Sequence, residues 1–189
     1  LKHIYKSYGL SDYNTTPLSI GKGVKMKFVS IVMGSKSDYE VMRSCSETLE
    51  SFGVAYELII SSAHRSPERT KNYIEEAEKK GAQVFIAAAG MAAHLAGVLA
   101  SKTTKPIIGV PMSASALSGI DALLSTVQMP AGMPVATVAI GKAGAINSAY
   151  LAIQILALQN EELHQKLLED RVSKAHKVET DSLEIETKL

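Results

Sequence analysis

From Lys27 onward, five short apolar runs alternate with longer stretches of helical character: Phe28–Met33, Val54–Ile60, Val84–Ala88, Ile107–Val110 and Val135–Ile140. This alternation constrains the fold more than any other feature. Runs that are apolar on consecutive residues suit strands buried on both faces, and parallel strands need crossover helices to return the chain. Asp38–Phe52, Pro67–Lys80, Ala92–Lys102, Leu117–Val127 and Ala143–Leu158 have suitable lengths, several ending near Gly or Pro. The expected fold class is therefore α/β: a three-layer sandwich around a five-stranded, parallel, doubly wound sheet with right-handed crossovers. No repeat period is evident, which disfavours a solenoid or a propeller.

The flanks divide the chain. Residues 1–25 are polar, with Gly9, Pro17, Gly21 and Gly23 scattered among Ser, Thr and Lys, and read as a leader or an appended arm. Residues 26–159 make the α/β domain, 160–177 a C-terminal helix carrying Leu163, Leu167 and Val172 along one side, and 178–189 a flexible tail. Ala143–Leu158 is apolar around most of its circumference, so a subunit interface is expected to cover its second face.

Composition removes several functions. At 189 residues, 46% hydrophobic content and a net charge of +1, one well-buried domain is expected. An aromatic content of 5% and near-neutral charge offer neither stacking platforms nor a phosphate-tracking surface, so nucleic acid is not an expected partner. Cys45, the sole cysteine, excludes an internal disulfide and a Cys cluster for zinc. Val84–Ala100 is the longest apolar stretch, but it contains His94 and two glycines and falls short of the roughly 20 residues a membrane span needs. With no secretory hydrophobic core before Met26, the expected location is cytoplasmic.

Chemistry collects where strands end. Ser61-Ser62-Ala63-His64-Arg65-Ser66-Pro67 joins a side chain that titrates near neutral pH to a fixed cation, between an apolar strand and a helix that Pro67 can open. In a parallel sheet such loops form the ligand crevice, which makes His64 a proton-transfer candidate and Arg65 an anion-binding one. A capped turn with a solvated His and Arg is the plain alternative. After the first strand, Gly34-Ser35-Lys36-Ser37-Asp38 sets hydroxyls beside a helix start, where phosphate binds well. Ser35 and Ser37 are assigned to phosphate and Asp38 to a ribose hydroxyl, since a carboxylate accepts from a diol and repels phosphate. Asp38 as an ordinary helix cap is the competing reading. The third strand runs into Ala89-Gly90-Met91-Ala92-Ala93-His94-Leu95, a small-residue loop that lets a ligand approach the backbone, or that only packs under a helix. His94 alone reads as a hydrogen-bonded structural group; in a cleft with His64 it could orient a carboxylate. The hydroxyls of Ser113, Ser115 and Ser118 after the fourth strand mostly suit helix capping. His164 and His176 lie outside any strand-end loop and are left without a role.

Taken in order, Gly34-Ser35-Lys36-Ser37-Asp38, Ser62-Ala63-His64-Arg65, Ala92-Ala93-His94-Leu95, Ala116-Leu117-Ser118-Gly119, Val127-Gln128-Met129-Pro130 and Ala139-Ile140-Gly141-Lys142-Ala143-Gly144-Ala145 closely resemble the bacterial N5-carboxyaminoimidazole ribonucleotide mutases of purine biosynthesis. The likeness runs from about Lys27 to about Arg171. It implies a flavodoxin-like domain in a homo-octamer, with active sites near subunit contacts. It also implies an isomerase that moves a carboxylate from the exocyclic nitrogen to C4 of the imidazole without ATP, metal or organic cofactor. By the same resemblance, Ser35, Ser37 and Arg65 hold the ribose phosphate, Asp38 holds the ribose and His64 shuttles the proton. Ser62, Gly90, His94 and Leu95 complete the substrate-binding set. Ala88 and Met91 stand where this family commonly has glycine, and Ala96 where proline often follows the His-Leu pair.

Two other functions compete. One is direct carboxylation of aminoimidazole ribonucleotide by carbon dioxide, the other branch of the same family, which the His-Leu loop resembles less. The second is a non-catalytic flavin- or nucleotide-binding module, which lacks a dinucleotide glycine fingerprint or an aromatic flavin stack here. A transient contact with the ATP-dependent enzyme that supplies the substrate is the remaining partner expectation, with no docking surface legible.

Overall fold

A computed structural model describes residues 26–185; the arm expected over residues 1–25 and the last residues of the expected tail lie outside them. Twelve elements follow in order: β1 (Phe28–Met33), a 3-10 turn (Lys36–Asp38), α1 (Tyr39–Ser51), β2 (Tyr56–Ile60), α2 (Pro67–Lys80), β3 (Ala82–Gly90), α3 (Leu95–Ala100), β4 (Ile107–Met112), α4 (Ile120–Val127), β5 (Ala136–Thr137), α5 (Lys142–Ala157) and α6 (Glu161–Glu184). The strands form one parallel sheet in the order β2-β1-β3-β4-β5. The α/β sandwich and its five parallel strands are as the apolar runs predict.

All six residues of β1 are buried, as a central strand covered on both faces requires. Alternation sends Val29, Ile31 and Met33 to the face covered by α1 and α5, where they meet Met42, Cys45, Leu49, Ala149 and Ile153. Phe28 and Val32 face α2 and α3 with Phe85, Ile74, Leu95 and Leu99. Ser30 is the polar exception; its hydroxyl and that of Tyr73 on α2 lie 2.7 Å apart, so neither is left unpaired beneath the sheet. Burial pushes the Tyr73 phenol well above its usual range, so it stays protonated. Gly144 seats α5: a Cβ there would run into the carbonyl of Ala139.

The bounds of four elements differ from expectation, each for a physical reason. The fifth strand is the pair Ala136–Thr137 rather than Val135–Ile140. On β4 its partners are Ile108 and Gly109; past β5 the Gly109 and Pro111 carbonyls accept from Val138 and Gly141, but Pro111 has no N–H to continue the ladder. Helices α3 and α4 start three residues late, at Leu95 and Ile120, because the turns before them hold Met91 at φ 57°, Ser118 at φ 52° and Gly119 at φ 87°, outside the helical region. Helix α6 continues past Lys177, where the tail was expected to begin, to Glu184; Lys177 pairs with Asp181 one turn on, and Asn160 caps the start by accepting from the Leu163 N–H.

The second face of α5, expected at a subunit contact, is met in part by α6. Tyr150 of α5 stacks edge-on against Phe52 at 5.5 Å and donates to Asp170 of α6 at 3.0 Å, while the Lys174 ammonium lies 3.9 Å from the Tyr150 ring centroid.

Candidate active site

The strand order reverses between β1 and β3, since β1 leads outward to β2 and the chain then crosses back to β3. Loops leaving the carboxyl ends of strands at such a switch point diverge and leave a crevice. A cavity of about 520 Å³ lies there. It gathers all nine residues singled out from the sequence: Ser35, Ser37, Asp38, Ser62, His64, Arg65, Gly90, His94 and Leu95. A larger cavity of about 740 Å³ lies at the opposite ends of the strands, among Phe52, Pro106, Leu156 and Lys166, and no imidazole lines it. Chemistry, not size, marks the site.

The turn after β1 is a closed capping box. The Ser35 hydroxyl accepts from the Ser37 N–H at 3.3 Å and the Asp38 carboxylate accepts from the Ser35 N–H at 3.1 Å. The Ser37 hydroxyl donates to that of Ser35 at 3.0 Å, which brings both hydroxyls to one spot at the mouth. The cap here is Ser35 and Asp38 is the third residue of the box; at the start of α1 itself the Asp38 side chain makes no capping bond, and it lines the cavity. Burial raises its carboxyl above the ordinary carboxylate range, opposed by the Ser35 N–H and the nearby Ser37 hydroxyl.

The turn after β2 is held by serines. Ser66 donates from its N–H to the Ser62 carbonyl at 2.9 Å and accepts the Ser62 N–H at 3.1 Å through its hydroxyl. The Ser62 hydroxyl accepts from the Arg65 N–H at 3.2 Å. Buried Ser61 and Thr70 share a 2.8 Å hydroxyl contact that ties the turn to α2, whose first residue is Pro67. His64 and Arg65 are both exposed on this frame. The Arg65 guanidinium reaches across to donate to the Gly34 carbonyl at 3.2 Å, joining the first two turns and setting a fixed positive charge beside the serine pair.

The turn after β3 supplies the other wall. Gly90 must be small: a Cβ there would lie 2.6 Å from the Ala114 Cβ and 3.3 Å from the Met112 carbonyl oxygen. Ala93 and Leu95 are each 2% exposed and anchor the loop in the core, with His94 held out between them. His94 Nδ1 lies 2.7 Å from His64 Nε2, the rings edge to face with centroids 4.8 Å apart. Met91, in the left-handed region and 61% exposed, forms the rim.

Beyond these, Gly34 and Ala114 line the cavity and were not singled out for it. Gly34 directly follows β1 and Ala114 lies two residues past β4; a place just beyond a strand end is the signal that would have found them. Ser113, Ser115 and Ser118 do not line it; the Ser115 hydroxyl accepts from the Leu117 N–H at 3.1 Å and so holds the turn before α4, whose own cap, Gly119, offers no side chain, rather than capping the helix as expected.

A family model described as AIR carboxylase matches residues 28–177. The chain belongs to the AIR carboxylase family. A protein of Escherichia coli (strain K12) named N5-carboxyaminoimidazole ribonucleotide mutase is 51% identical over 150 residues, covering 79% of this chain and 89% of the relative. One of the same name from Saccharolobus solfataricus is 54% identical over 142 residues, covering 75% and 89%. Among solved structures, Treponema denticola PurE superposes with a TM-score of 0.77 at 27% identity, covering 85% of this chain and 99% of that one. The family model spans all three turns that build the cleft, so membership and geometry concern the same residues.

Proposed function

We propose that this chain is an isomerase that converts N5-carboxyaminoimidazole ribonucleotide to 4-carboxy-5-aminoimidazole ribonucleotide in purine biosynthesis. The observation that carries the reading is the convergence of the His64 imidazole, the Arg65 guanidinium and the Ser35 and Ser37 hydroxyls on a single cleft at the switch point. Ser35, Ser37 and Arg65 hold the ribose phosphate, Asp38 accepts from the ribose, and Ser62, Gly90, His94 and Leu95 shape the pocket around the base.

His64 gives a proton to the exocyclic nitrogen as its bond to the carboxylate carbon breaks, releasing carbon dioxide into the cleft. C4 then attacks that carbon, and His64 takes the proton that leaves C4, so the imidazole ends as it began. A placed acid/base is worth ~10²–10⁴ in rate, and holding carbon dioxide beside C4 adds the advantage of proximity. The chemistry as written needs no metal or organic cofactor. The working form is a cytoplasmic homo-octamer; Leu117, Ile120 and Leu124, all exposed along one side of α4 and the turn before it, are apolar surface that such an assembly would cover.

Direct carboxylation of aminoimidazole ribonucleotide is the second reading, favoured by the family description itself. Supplying the purified protein with the carboxyamino substrate, or with the amine plus bicarbonate, separates the two. Turnover of the first at low carbon dioxide is expected; a preference for the second would replace the isomerase by a carboxylase.

A further inference from the structure

The contact between His64 and His94 has a chemical consequence. Both rings are exposed, and each could satisfy its nitrogens with water. Instead Nε2 of one faces Nδ1 of the other at 2.7 Å, a hydrogen-bond length. Neutral imidazole has one donor nitrogen and one acceptor, so the contact holds a single proton and couples the two tautomers: the ring that donates here sets which nitrogen carries the proton in both. Two protons would set N–H against N–H; none would set lone pair against lone pair.

His94 is free for this task. It precedes α3 as its N-cap, yet its side chain makes no capping bond. Its backbone is held by its own N–H to the Ala92 carbonyl at 2.7 Å, by its carbonyl to the Val98 N–H at 2.9 Å, and by buried neighbours on either side. The ring therefore stands on a firm mount. His64 has a firm mount in the serine-bound turn but, apart from His94, no side-chain partner among the described residues.

We propose that His94 is the positioning residue for His64. Through Nδ1 it fixes the rotation and the proton-bearing nitrogen of the His64 ring before substrate arrives, and on binding it releases His64 Nε2 to the substrate. This rests on His64 as the proton carrier, and it gives His94 a role different from contact with substrate.

Side-chain geometry supplies the test. The amide of Asn places a polar atom near the position of imidazole Nδ1, whereas Gln reaches that of Nε2. Ring nitrogen-15 shifts of His64, read by NMR in the ligand-free protein, report its tautomer; kcat and KM report function. His94→Phe is expected to change the His64 shifts and to lower kcat about 10- to 100-fold, the range for partners that orient a metal-bound imidazole, with KM little changed. His94→Asn restores the shifts and most of kcat, and His94→Gln restores neither. Unchanged His64 shifts in His94→Phe would overturn the proposal, as would rescue by Gln and not Asn, which would assign His94 to the substrate through Nε2. The NMR arm is independent of the reaction, so wild-type protein inactive on both ribonucleotide substrates would refute the proposed function while the contact is still decided.

Discussion

The wall of the cleft formed by the turns after β1 and β2 carries hydroxyls, a carboxylate and a guanidinium, whereas the wall formed by the turn after β3 carries alanines, a glycine and Met91. The first is fastened by hydrogen bonds among its own side chains; the second by two alkyl anchors in the core, Ala93 and Leu95. A sugar phosphate needs directional donors, and a released molecule of carbon dioxide needs close walls that offer it no water. The division matches a reaction whose charged end must be held and whose reacting end must be enclosed. The two histidines, one from each wall, bridge it.

The largest effect is expected where the walls meet. His64→Asn keeps a polar group on the serine-bound turn and removes the group that exchanges protons, so turnover should fall by ~10²–10⁴ while ribonucleotide binding, measured by calorimetry, stays close to wild type. Turnover near the wild-type rate would remove His64 from the reaction and leave the polar wall a binding surface only.

Asp38 tests the polar wall. Its folded-state carboxyl is raised, chiefly by burial, so the protein binds this proton more tightly than the unfolded chain does. The sign follows: the buried charge costs stability in full above the raised folded value, and the cost shrinks as pH falls through that value and is gone below the unfolded one. Asp38→Asn removes the charge and keeps an acceptor for the Ser35 N–H. It should therefore raise Tm at pH 7, with the gain shrinking toward pH 3, while KM for the ribonucleotide rises about tenfold for a lost charge-assisted hydrogen bond. A Tm gain that grows on acidification would mean that the carboxylate stabilises the turn as a charge.

Much of this cleft is legible in the sequence, because the rules that reveal it are local. Pro67 at the start of α2 and the apolar run before Ser61 put His64 and Arg65 at a strand end, and the sheet then directs strand ends to one crevice. Features absent from the reading depend on pairs distant in sequence or on single backbone angles. The contact between His64 and His94 spans thirty residues. The shortened β5 follows from Pro111 on its neighbour, not from its own residues. The late starts of α3 and α4 come from left-handed residues in segments otherwise suited to helix, and the reach of α6 comes from ion pairs along a stretch with no buried face.

The small-residue wall should yield the smallest and most surprising change, a gain. Met91 sits at φ 57°, where a side chain costs roughly 1–2 kcal/mol, and its 61% exposure means that little packing offsets this. Glycine would relieve the strain, at roughly 0.5–1 kcal/mol of extra chain entropy lost on folding. Met91→Gly should thus be net stabilising by up to about 1.5 kcal/mol, at about 2–4 °C of Tm per kcal/mol for a domain of this size, read by scanning fluorimetry. The loop keeps its other ties, since the Met91 carbonyl still accepts the Ala93 N–H at 2.9 Å. If Tm rises while turnover falls, the methionine at the rim serves enclosure at the expense of stability, and the contrast between the walls sharpens. If Tm falls, the side chain stabilises the rim by more than the angle costs, and the second wall is held by more than its two alkyl anchors.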